Sequence, residues 1–246
     1  DVKGLAISAV KSESATFQIL PFVWQTGGDL NDYATSGATA LAYLRGLIDD
    51  GSMSEAVSNY TQEDARTQFI TGKSAMMING PWELATLTKD AQFDWDVAPL
   101  PKDKRAATSM GGENVVVMNG AKQSDAAVKL AKFLTSAEGA KIYCDGSGQL
   151  SSRPDLQGKL KLSNDAKLKV FESQLADAHA RAYGKDYPKI SEAIQLSMQE
   201  ALTGASTPEA AAKKAADTIN PLLPKLCVAQ ETGSPGVIAP RQPKHT

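Results

Sequence analysis

Histidine is nearly missing from this 246-residue chain: only His179 and His245 are present. Zinc sites and Ser–His or Cys–His nucleophilic pairs draw heavily on imidazole, so those chemistries have little to build with. Cysteine is as scarce. Cys144 and Cys227 are too few for a disulfide scaffold and lack C-x-x-C spacing. One disulfide in an oxidising compartment and two separate small apolar residues both remain open, because spacing does not test disulfide geometry. No apolar run approaches the ~20 residues needed to span a bilayer. Neither sign of charge dominates. Twenty-six Lys and Arg against 28 Asp and Glu leave a formal charge of −2, which argues against a simple binder of nucleic acid or anionic membrane. With 42% apolar and 22% charged residues, the composition is that of an ordinary globular chain able to bury a sizeable core.

Catalytic motifs are lacking too. Gly146-Ser147-Gly148 is too short for a nucleophile elbow. Gly72-Lys73-Ser74 has Thr67 where a phosphate loop needs glycine. The acids include no recognisable glycosidase pair. No catalytic residue, metal or cofactor is assigned.

The chain opens on Asp1, with no charged and then apolar leader; the expectation is a processed chain, an excised piece or a fragment. Residues 3–10 read as a strand. Residues 14–24 are apolar and aromatic and run into a Gly27-Gly28-Asp29 loop. Leu41, Leu44, Leu47 and Ile48 recur at helical spacing within 36–50, with Gly51 at C′. Thr61, with Asp64 three residues on, forms a capping box for a helix to Thr71. Residues 74–79 read as a buried strand, and Gly80-Pro81 turns into a helix with Pro81 near N1. Residues 95–98 and 113–118 read as strands around a polar loop at 102–110. Helices follow: one capped by Ser124 or Asp125 through Leu134, then 136–143 and 163–182, the last placing His179 on a solvated helix face. Pro188 opens another, with Ile190, Ile194, Met198 and Leu202 inside. Thr207-Pro208-Glu209 starts an Ala-rich helix ending before Pro221. Residues 224–246 lack periodicity and read as a disordered or loosely draped tail. The order predicts an α/β layer architecture with a small sheet and many covering helices.

One run is specific. Phe69-Ile70-Thr71-Gly72-Lys73-Ser74-Ala75-Met76-Met77-Ile78-Asn79-Gly80-Pro81-Trp82 resembles the signature of the extracellular solute-binding proteins of ABC importers, family 1, the group that includes maltose-binding protein. Weaker landmarks are collinear with it. Residues 21–29 resemble a segment ending in Gly-Gly. Residues 97–101 resemble a strand returning towards the first lobe, and Met110-Gly111-Gly112-Glu113-Asn114 a ligand-facing turn. Residues 133–139 resemble a helix break. Gly148-Gln149-Leu150-Ser151-Ser152-Arg153 is similar to a G-x-L-P-x-R turn, with Ser151 where proline is common. The resemblance covers about 3–222 and implies a periplasmic-binding-protein-like, type II, two-lobe α/β fold. It also implies that the fold is incomplete, the opening units of the first lobe being absent. Residues 1–97 and 160–223 would form the helix-rich second, C-terminal lobe, and 98–159 part of the first.

The function so implied is the substrate-binding component of an ABC transporter, capturing a sugar or oligosaccharide between lobes for import. Partners would be the sugar and the membrane permease subunits, with no nucleic acid and a monomeric state when complete. The location would be extracytoplasmic, in the periplasm or lipid-anchored as a lipoprotein at the outer face of the membrane. A non-binding fragment, an interaction module and a carbohydrate-active enzyme stay open as alternatives. A pyranose has an apolar C–H face and a rim of hydroxyls; aromatic rings suit the first and polar side chains the second. Trp82, at a strand-to-helix corner, is the leading contact, or else a core tryptophan under the helix. Phe17, Trp24 and Tyr183 are further aromatic candidates, with core packing as their rival. Gly111 and Gly112 allow close backbone approach, and Glu113 and Asn114 offer hydroxyl partners or solvated loop polars. Arg153 fits a surface salt bridge better than the cleft. If part of the first lobe is absent, Val115, Val117, Val128, Leu130, Ala131, Phe133, Leu134 and Ile142 should lack cover.

Overall fold

The computed structural model describes residues 2–224; the expected tail beyond Pro224, with Cys227 and His245, lies outside the described residues. β1 (Lys3–Ala6) leads into three helices, α1 (Glu13–Gln25), α2 (Tyr33–Asp49) and α3 (Gln62–Ile70). β2 (Ser74–Met77) then pairs in parallel with β1, Leu5 opposite Met76. A 3-10 turn with Pro81 at its first position precedes α4 (Leu84–Asp90). β3 (Thr108–Met110), α5 (Ser124–Leu134), α6 (Ala137–Ser147) and α7 (Ala166–Gln174) follow. β4 (Ala178–Ala180) pairs in parallel with β3, Ser109 opposite His179. α8 (Tyr187–Leu202) and α9 (Pro208–Ile219) close the order.

The core lies among α1, α2, α8 and α9. Ile19, Leu20 and Trp24 of α1 meet Leu41 and Leu44 of α2 and Ile190, Ile194, Met198 and Leu202 of α8. α9 buries mainly alanines (Ala211, Ala212, Ala215, Ala216) with Ile219, small side chains that let α2 lie against it. The anticipated start signals are present. Thr207 accepts from Ala210 N, and Pro208 begins α9. Thr61 accepts from Asp64 N while Asp64 accepts from Thr61 N, a complete capping box. Thr61→Ala is expected to remove about 1 kcal/mol of stability, the usual worth of an N-cap, as measured by urea unfolding.

Tyr33 is fully buried, its hydroxyl 2.9 Å from Ser197 Oγ, which itself donates to the Ile194 carbonyl at 2.7 Å. Burial pushes the Tyr33 phenol up to about 12, partly offset by the Ser197 bond. An unfolded tyrosine ionises near 10. The contribution of Tyr33 is therefore complete below pH ~10 and lost as the pH rises through about 12. Tyr33→Phe should flatten the alkaline fall in unfolding free energy between those values.

Residues 14–24, to which the sequence pattern assigned no element, form most of α1 despite Pro21. A mid-helix proline leaves the carbonyl four residues back without its donor; here that carbonyl, of Phe17, accepts from Ser109 Oγ at 2.8 Å. The helix expected over 163–182 stops at Gln174, and its N-cap is Asp165, not Ser163. His179 lies in β4 rather than on a helix, its ring 4.8 Å from that of Trp24. Pairing with β3 overrides the helix propensity of the alanines. The strands expected at 95–98 and 113–118 do not form. Val115–Met118 are β-branched or long apolar residues, but a strand needs a partner, and none among the described residues pairs with them. β2 is not a buried strand either: among the described residues it pairs only with β1, and Met76 is 59% exposed. Residues 108–110, assigned to a loop, form β3.

The segment 115–142 shows the anticipated bare surface. α5 buries none of its residues, and Val128, Leu130, Phe133 and Leu134 are exposed. Val115, Val117 and Ile142 are exposed as well, the last at 61%, while Ala131 is half-buried.

Candidate functional site

α1 organises most of the candidates. Phe17 and Trp24 are seven residues apart, two helical turns, and share a face. β3 is fastened alongside. Ser109 holds the Phe17 carbonyl, and Gln25 Nε2 donates to the Ala107 carbonyl at 3.1 Å. Arg105 donates to the Trp24 carbonyl at 2.6 Å and the Gly28 carbonyl at 3.0 Å. The turn that leaves β3 is Gly111-Gly112-Glu113-Asn114, all exposed. A β-carbon at Gly111 would stand 3.1 Å from the Phe17 ring, so glycine lets this turn lie close to the aromatic.

Phe17 is half-buried, and the Arg181 guanidinium sits 4.7 Å over its ring, within cation–π range. Arg181 also donates to Glu13 Oε1 at 3.0 Å, the Tyr187 hydroxyl at 2.9 Å and the Met110 carbonyl at 3.2 Å. Tyr187 bonds Glu13 as well, and burial with that contact pushes its phenol up to about 12. Ser191 completes the group by donating to Glu13 Oε2 at 2.5 Å. Sequence reasoning missed this cluster because its members come from α1, the β4–α8 connection and α8.

Trp24 corrects its expectation as a contact. It is 0% exposed, within the core. Its indole N–H donates to Asp29 Oδ1 and to the Tyr183 hydroxyl, both at 3.1 Å, and Tyr183 donates to the same Asp29 oxygen at 2.5 Å. Burial and the Asp29 carboxylate hold the Tyr183 phenol well above its usual range. Tyr183 is half-buried. Arg153 pairs with Asp155 through two bonds, at 2.9 and 3.0 Å, as a surface salt bridge should.

Trp82 stands at the other end of the group. Gln18, next to Phe17, donates to the Ile78 carbonyl at 3.3 Å, one residue before Asn79-Gly80-Pro81-Trp82. The ring is half-buried, not enclosed. Asn79 Oδ1 accepts from its indole N–H at 3.1 Å. The buried Glu83 carboxylate, next to Trp82 in the chain, pairs with Arg66 of α3 at 2.8 Å. Gly148, at φ +72, closes the last turn of α6 against this corner. A β-carbon there would lie 3.1 Å from the Pro81 carbonyl oxygen. Two surface recesses, about 10 and 460 Å³, are lined by other residues: Cys144 to Leu168 in one, α2 with Glu209 in the other. The first closes on the Cys144 thiol, which burial pushes up. Among the described residues no cluster of His, Cys, Asp and Glu could hold a metal ion.

Phe17 thus meets the glycine turn after β3, and Gln18 beside it ties α1 to the turn that carries Trp82. Comparison with known proteins identifies the family. Residues 2–170 match the family described as bacterial extracellular solute-binding protein. A crystal structure of an ABC transporter solute-binding protein from Thermotoga lettingae, bound with α-D-tagatose, is similar at 31% identity and a TM-score of 0.79. It covers 91% of this chain and 60% of that one. The maltose-bound MalE3 of T. maritima matches at 28% identity and a TM-score of 0.79, over 90% of this chain and 61% of that one. The maltooligosaccharide ABC transporter solute-binding lipoprotein of Streptococcus pneumoniae is 32% identical over 103 residues, 41% of this chain and 24% of that protein. The chain spans 52% of the length of curated relatives that align with 82% of it. Its fold is thus a part of the periplasmic-binding-protein-like fold, helix-rich with small parallel sheets. The family is one of binding proteins, not enzymes. The chain belongs to the bacterial extracellular solute-binding proteins, in the branch that resembles maltose-binding protein.

Proposed function

We propose that the chain is the sugar-capturing part of an ABC importer, taking a sugar or oligosaccharide at the Trp82 corner for transfer to membrane permease subunits. The observation that carries this is the half-buried Trp82 ring at the strand-to-helix turn, its N–H already bonded to Asn79. Such a ring has only its face to offer, and the apolar face of a pyranose is its natural complement. The tagatose and maltose in the two structural relatives favour the same ligand class. Gly111, Gly112, Glu113 and Asn114 supply the polar side, with Phe17 and Tyr183 behind them. The working location is outside the cytoplasmic membrane, free or lipid-anchored.

Residues 1–97 and 160–223 belong, in this reading, to one lobe and 98–159 to the other. The bare face of α5 with Val115 and Val117 is then surface that the remainder of the family fold covers. Residues 2–224 alone would hold a sugar against Trp82 without enclosing it, so water competes for each hydroxyl and affinity is about millimolar, near −4 kcal/mol. The test is calorimetric titration with maltose, maltotriose and D-tagatose, followed by chromatography of the recovered sugar. Weak saturable binding and unchanged sugar are expected. Cleavage that survives repurification and depends on one named carboxylate would overturn the reading.

A further inference from the structure

Gly80 has φ −119 and ψ 175, extended backbone open to any residue. Nothing in its own conformation asks for glycine; its surroundings do. A β-carbon at Gly80 would lie 2.1, 2.2 and 2.4 Å from Cη2, Cζ3 and Cζ2 of Trp82. The six-membered ring of the indole therefore lies across the Gly80 α-carbon. The edge of the ring is fixed as well. Asn79 Oδ1 accepts both the Trp82 indole N–H, at 3.1 Å, and the Gly80 N–H, at 3.0 Å. Asn79 Nδ2 donates to the Gln62 carbonyl at 3.0 Å, at the start of α3. With its amide nitrogen on a carbonyl and its oxygen on two N–H groups, Asn79 has one consistent orientation.

We propose that Asn79 and Gly80 are positioning residues for sugar binding: they lay the Trp82 indole flat on its own turn and leave the opposite face as a rigid stacking platform. This rests on the reading that Trp82 stacks on the sugar. The indole N–H is occupied internally, so the platform recognises the C–H face of a pyranose and gives no hydrogen bond to a hydroxyl. The ring orientation is set before the ligand arrives, which removes an ordering cost from binding. An alanine at Gly80 is compatible with the backbone and incompatible with the ring, so the ring swings away while the turn stays.

The test uses the ¹⁵N-labelled chain and follows the Trp82 indole N–H correlation, assigned with Trp82→Phe, first without sugar and then during maltotriose titration. Gly80→Ala is expected to move the correlation and to weaken maltotriose binding at least about fivefold, and no more than Trp82→Ala does. The double variant Gly80→Ala/Trp82→Ala should bind no worse than Trp82→Ala, because both remove one platform. Asn79→Ala should act like Gly80→Ala, and supplies the same measurement if that variant does not fold. Gly46→Ala, on ordinary helical backbone in α2 with nothing near its β-carbon position, should change neither. An unmoved correlation and unchanged affinity in Gly80→Ala, or additive losses in the double variant, would overturn the proposal. If Trp82→Ala binds maltotriose as the parent does, the stacking reading falls and the platform role with it. The sugar-free correlation in Gly80→Ala then still decides separately whether the two residues fix the ring.

Discussion

Trp24→Ala is expected to destabilise the fold by about 3–5 kcal/mol, the range for removing a large aromatic from a core. The ring is completely buried and stacks on His179. Its loss would leave a cavity in the shared core of α1 and α8, beside the join to β4. It would also leave Asp29 and Tyr183 facing a space where the indole N–H had donated to both. Trp24→Phe refills part of that volume and should recover part of the loss, the missing N–H bond accounting for about 1 kcal/mol of what remains. Urea unfolding followed by circular dichroism gives the numbers. A loss below about 1 kcal/mol for Trp24→Ala would mean that the ring does not serve the core.

The second large effect falls on binding. Trp82→Ala should cost about 1–3 kcal/mol of maltooligosaccharide affinity, between about fivefold and about 150-fold, as for a lost aromatic anchor. Trp82→Phe keeps an aromatic face and should retain part of the affinity. The contrast between the two tryptophans is the informative part. Trp24→Ala should lower stability strongly and affect binding through loss of folded protein, whereas Trp82→Ala should act on affinity in protein that remains folded. Unchanged affinity in calorimetric titration of Trp82→Ala would remove the platform from the account.

Local signals in the sequence were read well where they act locally. The Thr61–Asp64 capping box, Thr207-Pro208 at the head of α9 and the apolar stripe of α8 depend on neighbours within one or two turns. What was not legible depends on distant partners. Pro21 argues against a helix until Ser109, 88 positions later, supplies the donor that Phe17 lacks. The alanines around His179 favour a helix until β3 offers a strand to pair with. Val115–Met118 have the composition of a strand but no partner among the described residues. For the candidate site, the run ending in Trp82 was legible because turn chemistry and family resemblance coincide there. The Arg181–Glu13–Tyr187 cluster was not, since its members are 168 residues apart at the extremes of the Arg181–Glu13 bond and 174 apart for Glu13 and Tyr187. Trp24 and Phe17 look equivalent in sequence. The fold separates them, one wholly buried and one beneath the Arg181 guanidinium.

The central claim, that a sugar rests on Trp82 with the glycine turn after β3 at its rim, is tested most directly by titrating maltotriose into the ¹⁵N-labelled chain. Saturable shifts at the Trp82 indole N–H and at the amides of Gly111, Gly112, Glu113 and Asn114, sharing one dissociation constant, are the predicted result. Saturable shifts confined to other residues, or no shift at concentrations well above about a millimolar dissociation constant, would contradict it.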